Sequence, residues 1–99
     1  MQIIAKRTLV KFWEQHPRAE RPLRSWYGLV DKAIWAGPAE VKAEFGTTVD
    51  FVADSRIVFD IGGNKYRLIA AIHYNRKKIY IRQVLTHTEY NRNKWKESP

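Results

Sequence analysis

The spacing of apolar residues changes once along this chain, and that change constrains the fold more than any other feature. Between Thr8 and Ile34 the large side chains recur every three or four residues. Leu9, Phe12, Trp13 and His16 form one set, and Leu23, Trp26, Tyr27, Val30, Ala33 and Ile34 a second. That period lays each set along one face of a helix. After Asp54-Ser55 the chain turns to β-branched and aromatic runs separated by turn residues. A strand is predicted over 56–61, a tight turn at Gly62-Gly63-Asn64, a second strand over 65–74, a turn over 75–78 and a third strand over 79–85. Helices followed by consecutive strands imply an α+β fold: two N-terminal helices packed on one face of an antiparallel β-sheet.

The punctuation agrees with that plan. Pro17 stops the first helix, Pro22 stands where the second begins, and Gly37-Pro38 ends it. Gln2 to Ala5 is a short apolar run that suits a strand. Residues 39–45 suit a further helical turn, Gly46-Thr47-Thr48 a turn, and the polar tail from Thr88 a short helix or ordered extension. Trp13, Trp26, Tyr27 and Trp35 follow the helical stripes and are expected to pack rather than bind. At 99 residues the chain is expected to be one domain, 1–99. It has no cysteine, which excludes disulfides and thiolate metal sites and is compatible with a reducing cytosol. No apolar run reaches the roughly 20 residues that span a bilayer. The opening seven residues lack a signal-peptide core and read as mature sequence. A cytoplasmic protein with no membrane partner is the expectation.

The charge is unevenly placed. Residues 1–64 carry nine Lys/Arg against eight Asp/Glu, whereas residues 65–99 carry nine against two, so +7 of the formal +8 falls in the last third. Basic residues interleaved with Tyr66, His73, Tyr74, Tyr80, His87 and Tyr90 suggest a polyanion partner, most often nucleic acid. Strand alternation places Tyr66, Leu68, Ala70, Ile72 and Tyr74 on one side of the second strand, with Lys65, Arg67, Ile69, Ala71 and His73 on the other. On the third strand it groups Tyr80, Arg82 and Val84 against Ile79, Ile81, Gln83 and Leu85. Lys65, Arg67 and Arg82 are then candidates for an open basic face.

Few residues carry chemistry by pattern alone. His16, His73 and His87 form no short-range metal-ligand pair, and Asp50, Asp54 and Asp60 match no calcium loop, so no metal or cofactor is expected. Gly62-Gly63 joins two strands and opens no helix, so it is a hairpin turn rather than a phosphate cradle. Arg67 lies inside a strand, where an unpaired guanidinium would be costly. It either pairs with Asp60 across the hairpin or serves as a rigid fork for phosphate. Arg82 has the same two readings. His87 and Tyr90 follow the third strand; they are loop residues, or a proton-transfer group beside a ring that stacks on or orients a nucleotide.

As a set, certain segments are more specific. FDIGGNKYRLI (59–69) and TH-x-EY (86–90) resemble the signature segments of the HigB toxin family. So do LRSWY (23–27), AIWAGPAEVKAEF (33–45) and the opening strand followed by TLVKFWEQHP (8–17), collinear from Ile3 to about Tyr90. The resemblance implies a RelE/ParE-type α+β toxin of a type II toxin–antitoxin system that cleaves mRNA, usually on a ribosome. It also implies a HigA-type helix-turn-helix antitoxin as partner, with operator DNA reached only through that complex. By the same resemblance Arg67, His87 and Tyr90 are catalytic, and Arg82 takes the position of a basic residue on the following strand. Two residues depart from the family pattern. Asp60 stands where Asn is frequent and could pair with Arg67. Asn91 stands where Asp is frequent and removes a carboxylate.

RNA carries its own nucleophile, the 2′-OH beside the scissile phosphate. A metal-free cutter therefore needs a base, an acid and cations for the phosphorane charge. On this scheme Arg67 and Arg82 stabilise charge, His87 transfers a proton and Tyr90 stacks or orients. Lys65, Arg76, Lys77, Lys78, Arg92 and Lys94 contact RNA backbone. The rivals are a non-catalytic nucleic-acid-binding module, a toxin of the same fold acting on a target such as a topoisomerase, and an inactive toxin retained as an antitoxin partner.

Overall fold

Arg56–Ile61 (β3), Tyr66–His73 (β4) and Lys78–Thr86 (β5) pair in sequence as an antiparallel meander. Two short strands complete the sheet. Val49–Phe51 (β2) runs antiparallel to β3, and Gln2–Ile4 (β1) runs parallel to β5, giving the order β1-β5-β4-β3-β2. A computed structural model describes residues 1–52 and 56–92. The helices are α1 (Lys6–Gln15), α2 (Glu20–Lys32), α3 (Pro38–Phe45) and α4 (His87–Asn91).

One face of the sheet carries the core. Ile57, Phe59 and Ile61 of β3, Tyr66, Leu68, Ala70 and Ile72 of β4, and Ile79, Ile81 and Val84 of β5 join Leu9, Trp13, Leu23, Trp26 and Val30 in one buried cluster. Phe59 is fully buried between Trp26 and Phe45, edge to face with both at centroid distances of 5.3 and 4.9 Å. Such pairs add about 1 kcal/mol beyond area burial. The expected packing role of the tryptophans holds: Trp13, Trp26 and Trp35 are buried, and Tyr27 packs half-buried against them. Trp26 Nε1 is buried and has no hydrogen-bond partner among the described residues.

Besides the added strand β2, four features of the elements differ from the reading of the sequence. First, α2 stops at Lys32, so Ile34 lies outside the helix and is exposed. The Met1 ammonium there donates to the carbonyls of Val30 and Ala33 at 3.2 and 2.5 Å, joining the Ala33 N–H that the Val30 carbonyl accepts at 3.0 Å. Second, Pro38 starts a full helix, α3, instead of merely closing α2; proline suits that first position because it has no N–H to leave unpaired. Third, α2 begins at Glu20, which places Pro22 within the first turn. Fourth, a β-bulge interrupts β5. Ile69 faces Gln83 while Ala70 faces Ile81, so Arg82 is the extra residue. The bulge moves Val84 to the helix side with Ile79 and Ile81, and separates it from Tyr80 and Arg82.

Candidate active site

The sheet's second face is polar at one end. Asp60 and Arg67 are register partners on β3 and β4, opposite Leu85 of β5. Beside them a small apolar cluster, Val58 and Ile69 with Val52, Leu85 and Tyr90, shows that α4 folds back across this face. Its placement is built locally. Thr86 Oγ1 accepts from the Glu89 N–H at 3.2 Å, and the Thr86 N–H donates to Glu89 Oε1 at 2.9 Å, a reciprocal capping box. The His87 N–H also donates to the Lys65 carbonyl at 3.0 Å, tying the start of α4 to the β3–β4 turn.

Arg67 is the hub. It is 8% exposed, and its guanidinium is engaged on every nitrogen. Nε forms an ion pair with Asp60, 3.2 Å from Oδ1. Nη1 donates to the carbonyls of Asn64 and Tyr66, each at 3.2 Å. Nη2 donates to Asn64 Oδ1 and lies 3.4 Å from His87 Nδ1. The Tyr90 ring packs on the guanidinium with its centroid 5.3 Å away, a cation–π contact. Of the two readings of Arg67, the Asp60 pair is present, and it holds the guanidinium beside His87 and Tyr90. A neutral His87 ring that accepts at Nδ1 carries its proton on Nε2.

Burial is the main cause that pushes the Tyr90 phenol above its ordinary pKa of 10.0; Asp50 and Asp60 add to it and Arg67 opposes it. At neutral pH the group is an uncharged hydroxyl. Asp50, on β2, thus belongs to the electrostatics of the site although the sequence did not single it out for this role. Neither was Asn64, whose only signal was its place in a glycine turn.

The remaining candidates separate. Lys65 and Arg92 are exposed at the His87 end. Arg76 and Lys77 are exposed in the β4–β5 turn, with half-buried Lys78 beside them. Six residues of strand, about 20 Å, divide that turn from Arg67. Arg82 is exposed at the bulge between the two groups. Lys94 lies outside the described residues. His16 stacks on Phe12 and His73 packs on Tyr80, both away from His87. Among the described residues no group of three or more His, Cys, Asp or Glu is gathered for a metal, and no helix is long and apolar enough to cross a membrane.

Helices α1 and α2 on one face of a mostly antiparallel sheet, with α4 folded over a basic end of the other face beside Arg67, fit a RelE-like α+β architecture. The HigB toxin family, described as the RelE-like toxic component of a toxin–antitoxin system, matches residues 19–93. This chain belongs to that family. It is 32% identical over 92 residues to the mRNA interferase toxin HigB of Escherichia coli K12, covering 92% of this chain and 88% of the relative. It is 27% identical over 93 residues to the mRNA interferase HigB of Escherichia coli O6:H1, covering 93% and 90%.

Proposed function

We propose that this toxin is an mRNA endoribonuclease that cuts through the RNA 2′-OH without a metal, acts on messages engaged with the ribosome, and is neutralised by a HigA-type helix-turn-helix antitoxin. The observation that carries the reading is the contact between Arg67 and His87, held at the end of a basic sheet by the capping box of α4. The E. coli relatives named as mRNA interferases, similar over nearly their whole length, support the same reading.

In this mechanism the scissile phosphate sits against Arg67 and Arg82, which offset the charge growing on its oxygens as the 2′-oxygen attacks. His87 gives a proton from Nε2, the ring nitrogen turned away from Arg67, to the 5′-oxygen as the P–O5′ bond breaks, while the 2′-OH proton leaves to solvent as the P–O2′ bond forms, leaving a 2′,3′-cyclic phosphate. Tyr90, uncharged at neutral pH, orients the nucleotide. Lys65 and Arg92 hold the backbone nearby, and affinity falls with salt as counterions are released. Operator DNA is reached only through the antitoxin.

Induced expression followed by mapping of transcript 5′ ends tests this. Wild type should create new ends within translated regions, and Arg67→Ala and His87→Ala should each remove them. In a purified translation system the cuts should survive EDTA. Cleavage that persists in a folded Arg67→Ala/His87→Ala double variant overturns the assignment; RNA binding with no cleavage by the wild type leaves a binding module instead.

A further inference from the structure

Asn64 contacts Arg67 through two oxygens. Its backbone carbonyl accepts from Nη1 and its side-chain Oδ1 from Nη2. Two acceptors spread across both Nη atoms are the arrangement that a phosphate's oxygens adopt on a guanidinium fork. The other partners of Arg67 are anchored: Asp60 is in β3, the Tyr66 carbonyl is in β4, and His87 is in the capped helix α4. Asn64 alone is at an exposed turn, where Gly62, Gly63 and Asn64 all have positive φ, at 64°, 63° and 83°. The turn is pinned at its base, since a Cβ on Gly62 would meet the Tyr66 ring at 3.4 Å and Pro22 at 3.5 Å. Beyond that point a Cβ on Gly63 would meet nothing within 4 Å, and Asn64 is exposed apart from its contacts with Arg67.

We infer that Asn64 is a positioning residue that occupies the phosphate seat of Arg67 in the RNA-free protein and yields it to substrate. The inference rests on the reading that Arg67 meets the scissile phosphate. Asn64 keeps the guanidinium oriented and its donors satisfied while the site is empty. The incoming phosphate takes over the same two Nη atoms, and the turn swings away about its glycines. No bond is made or broken in this step; one set of hydrogen bonds replaces another.

Three variants and one spectroscopic measurement test it. Asn64→Gly keeps the left-handed backbone and removes Oδ1; Asn64→Asp keeps the shape and puts a full charge on the fork. In message cleavage with purified ribosomes, Asn64→Gly should lower KM by about threefold and leave kcat within about twofold, and Asn64→Asp should raise KM about tenfold. In side-chain NMR, inorganic phosphate should shift the Arg67 guanidinium signals at lower concentration in Asn64→Gly than in wild type. A KM for Asn64→Gly at or above the wild-type value, with Arg67→Lys impaired, overturns the role of Asn64 alone. Wild-type cleavage by Arg67→Lys, or Arg67 signals that ignore phosphate in every variant, overturns the phosphate reading of Arg67 and this inference with it.

Discussion

Asp60 and Arg67 face each other across the β3–β4 ladder, and the Asp60 carboxylate lies 3.2 Å from Arg67 Nε. The pair orients the guanidinium and, on the proposed mechanism, also lowers the positive charge that an RNA phosphate meets. With side-chain exposures of 10% for Arg67 and 26% for Asp60, it is desolvated enough to matter. Asp60→Asn keeps the side-chain shape but removes the charge. It should change stability by no more than about 1 kcal/mol and strengthen RNA binding several-fold at low salt. Asp60→Ala leaves the buried guanidinium without its counter-charge and should cost about 1–3 kcal/mol. Urea unfolding and RNA titration of both variants would check this; equal RNA affinity for wild type and Asp60→Asn would show that the carboxylate does not restrain the site.

The core offers a second prediction. Phe59 is fully buried and meets both Trp26 and Phe45 edge to face. Phe59→Ala should cost about 3–5 kcal/mol, a large share of the 5–15 kcal/mol typical of a domain this size. Phe59→Leu should lose much less, because it leaves a smaller cavity. Thermal unfolding of the three proteins separates the cases. A loss below about 1 kcal/mol for the alanine variant would mean that the aromatic cluster repacks.

Much of this arrangement was legible before the fold was known, and the omissions share a cause. The stripes of α1 and α2 and the β3–β4–β5 meander depend on local period, and the Asp60–Arg67 pair follows from the position of a two-glycine hairpin. The end of α2 does not, since Ala33 and Ile34 continue the helical spacing and only Met1, thirty residues away, marks the stop. β2 has three residues and no period of its own; β3 supplies its ladder. The bulge at Arg82 is invisible in a run that reads as unbroken alternation. Asn64 reads as a turn residue, and its contact with Arg67 appears only once the turn folds back on the strand.

The raised phenol pKa values of Tyr90 and Tyr74 predict a loss of stability in alkali. Burial disfavours both phenolates, and for Tyr90 the carboxylates of Asp50 and Asp60 add to it. A group whose folded pKa exceeds its unfolded value stabilises the fold fully below the unfolded value. That contribution fades as pH climbs above 10.0 and through the raised folded value. Wild type should therefore lose more stability between about pH 9 and 11 than Tyr90→Phe or Tyr74→Phe. Urea unfolding at the two pH values measures the difference. A Tyr90→Phe curve parallel to that of wild type would show that the phenol ionises alike in the folded and unfolded chains.

The basic residues divide by position, which predicts two separable effects on RNA. Lys65 and Arg92 stand at the His87 end, whereas Arg76, Lys77 and Lys78 lie about 20 Å along the sheet. All five are at least partly exposed, so their loss should leave stability within about 0.5 kcal/mol. Each lysine or arginine that contacts a phosphate should contribute roughly 0.7–0.9 to the slope of log affinity against log salt. Replacing Arg76, Lys77 and Lys78 with serine should reduce that slope by about 2–3 and raise KM, with kcat unchanged, because the turn is remote from the cut. Replacing Lys65 and Arg92 should reduce the slope by about 1–2 and lower kcat as well, since the proposed mechanism sets those cations beside the reacting phosphate. The slope comes from RNA titrations at several salt concentrations, and the kinetic split from cleavage of a single message. An unchanged slope in the triple variant would place bound RNA entirely at the His87 end, and a fall in kcat there would mean that the far turn also positions the scissile bond.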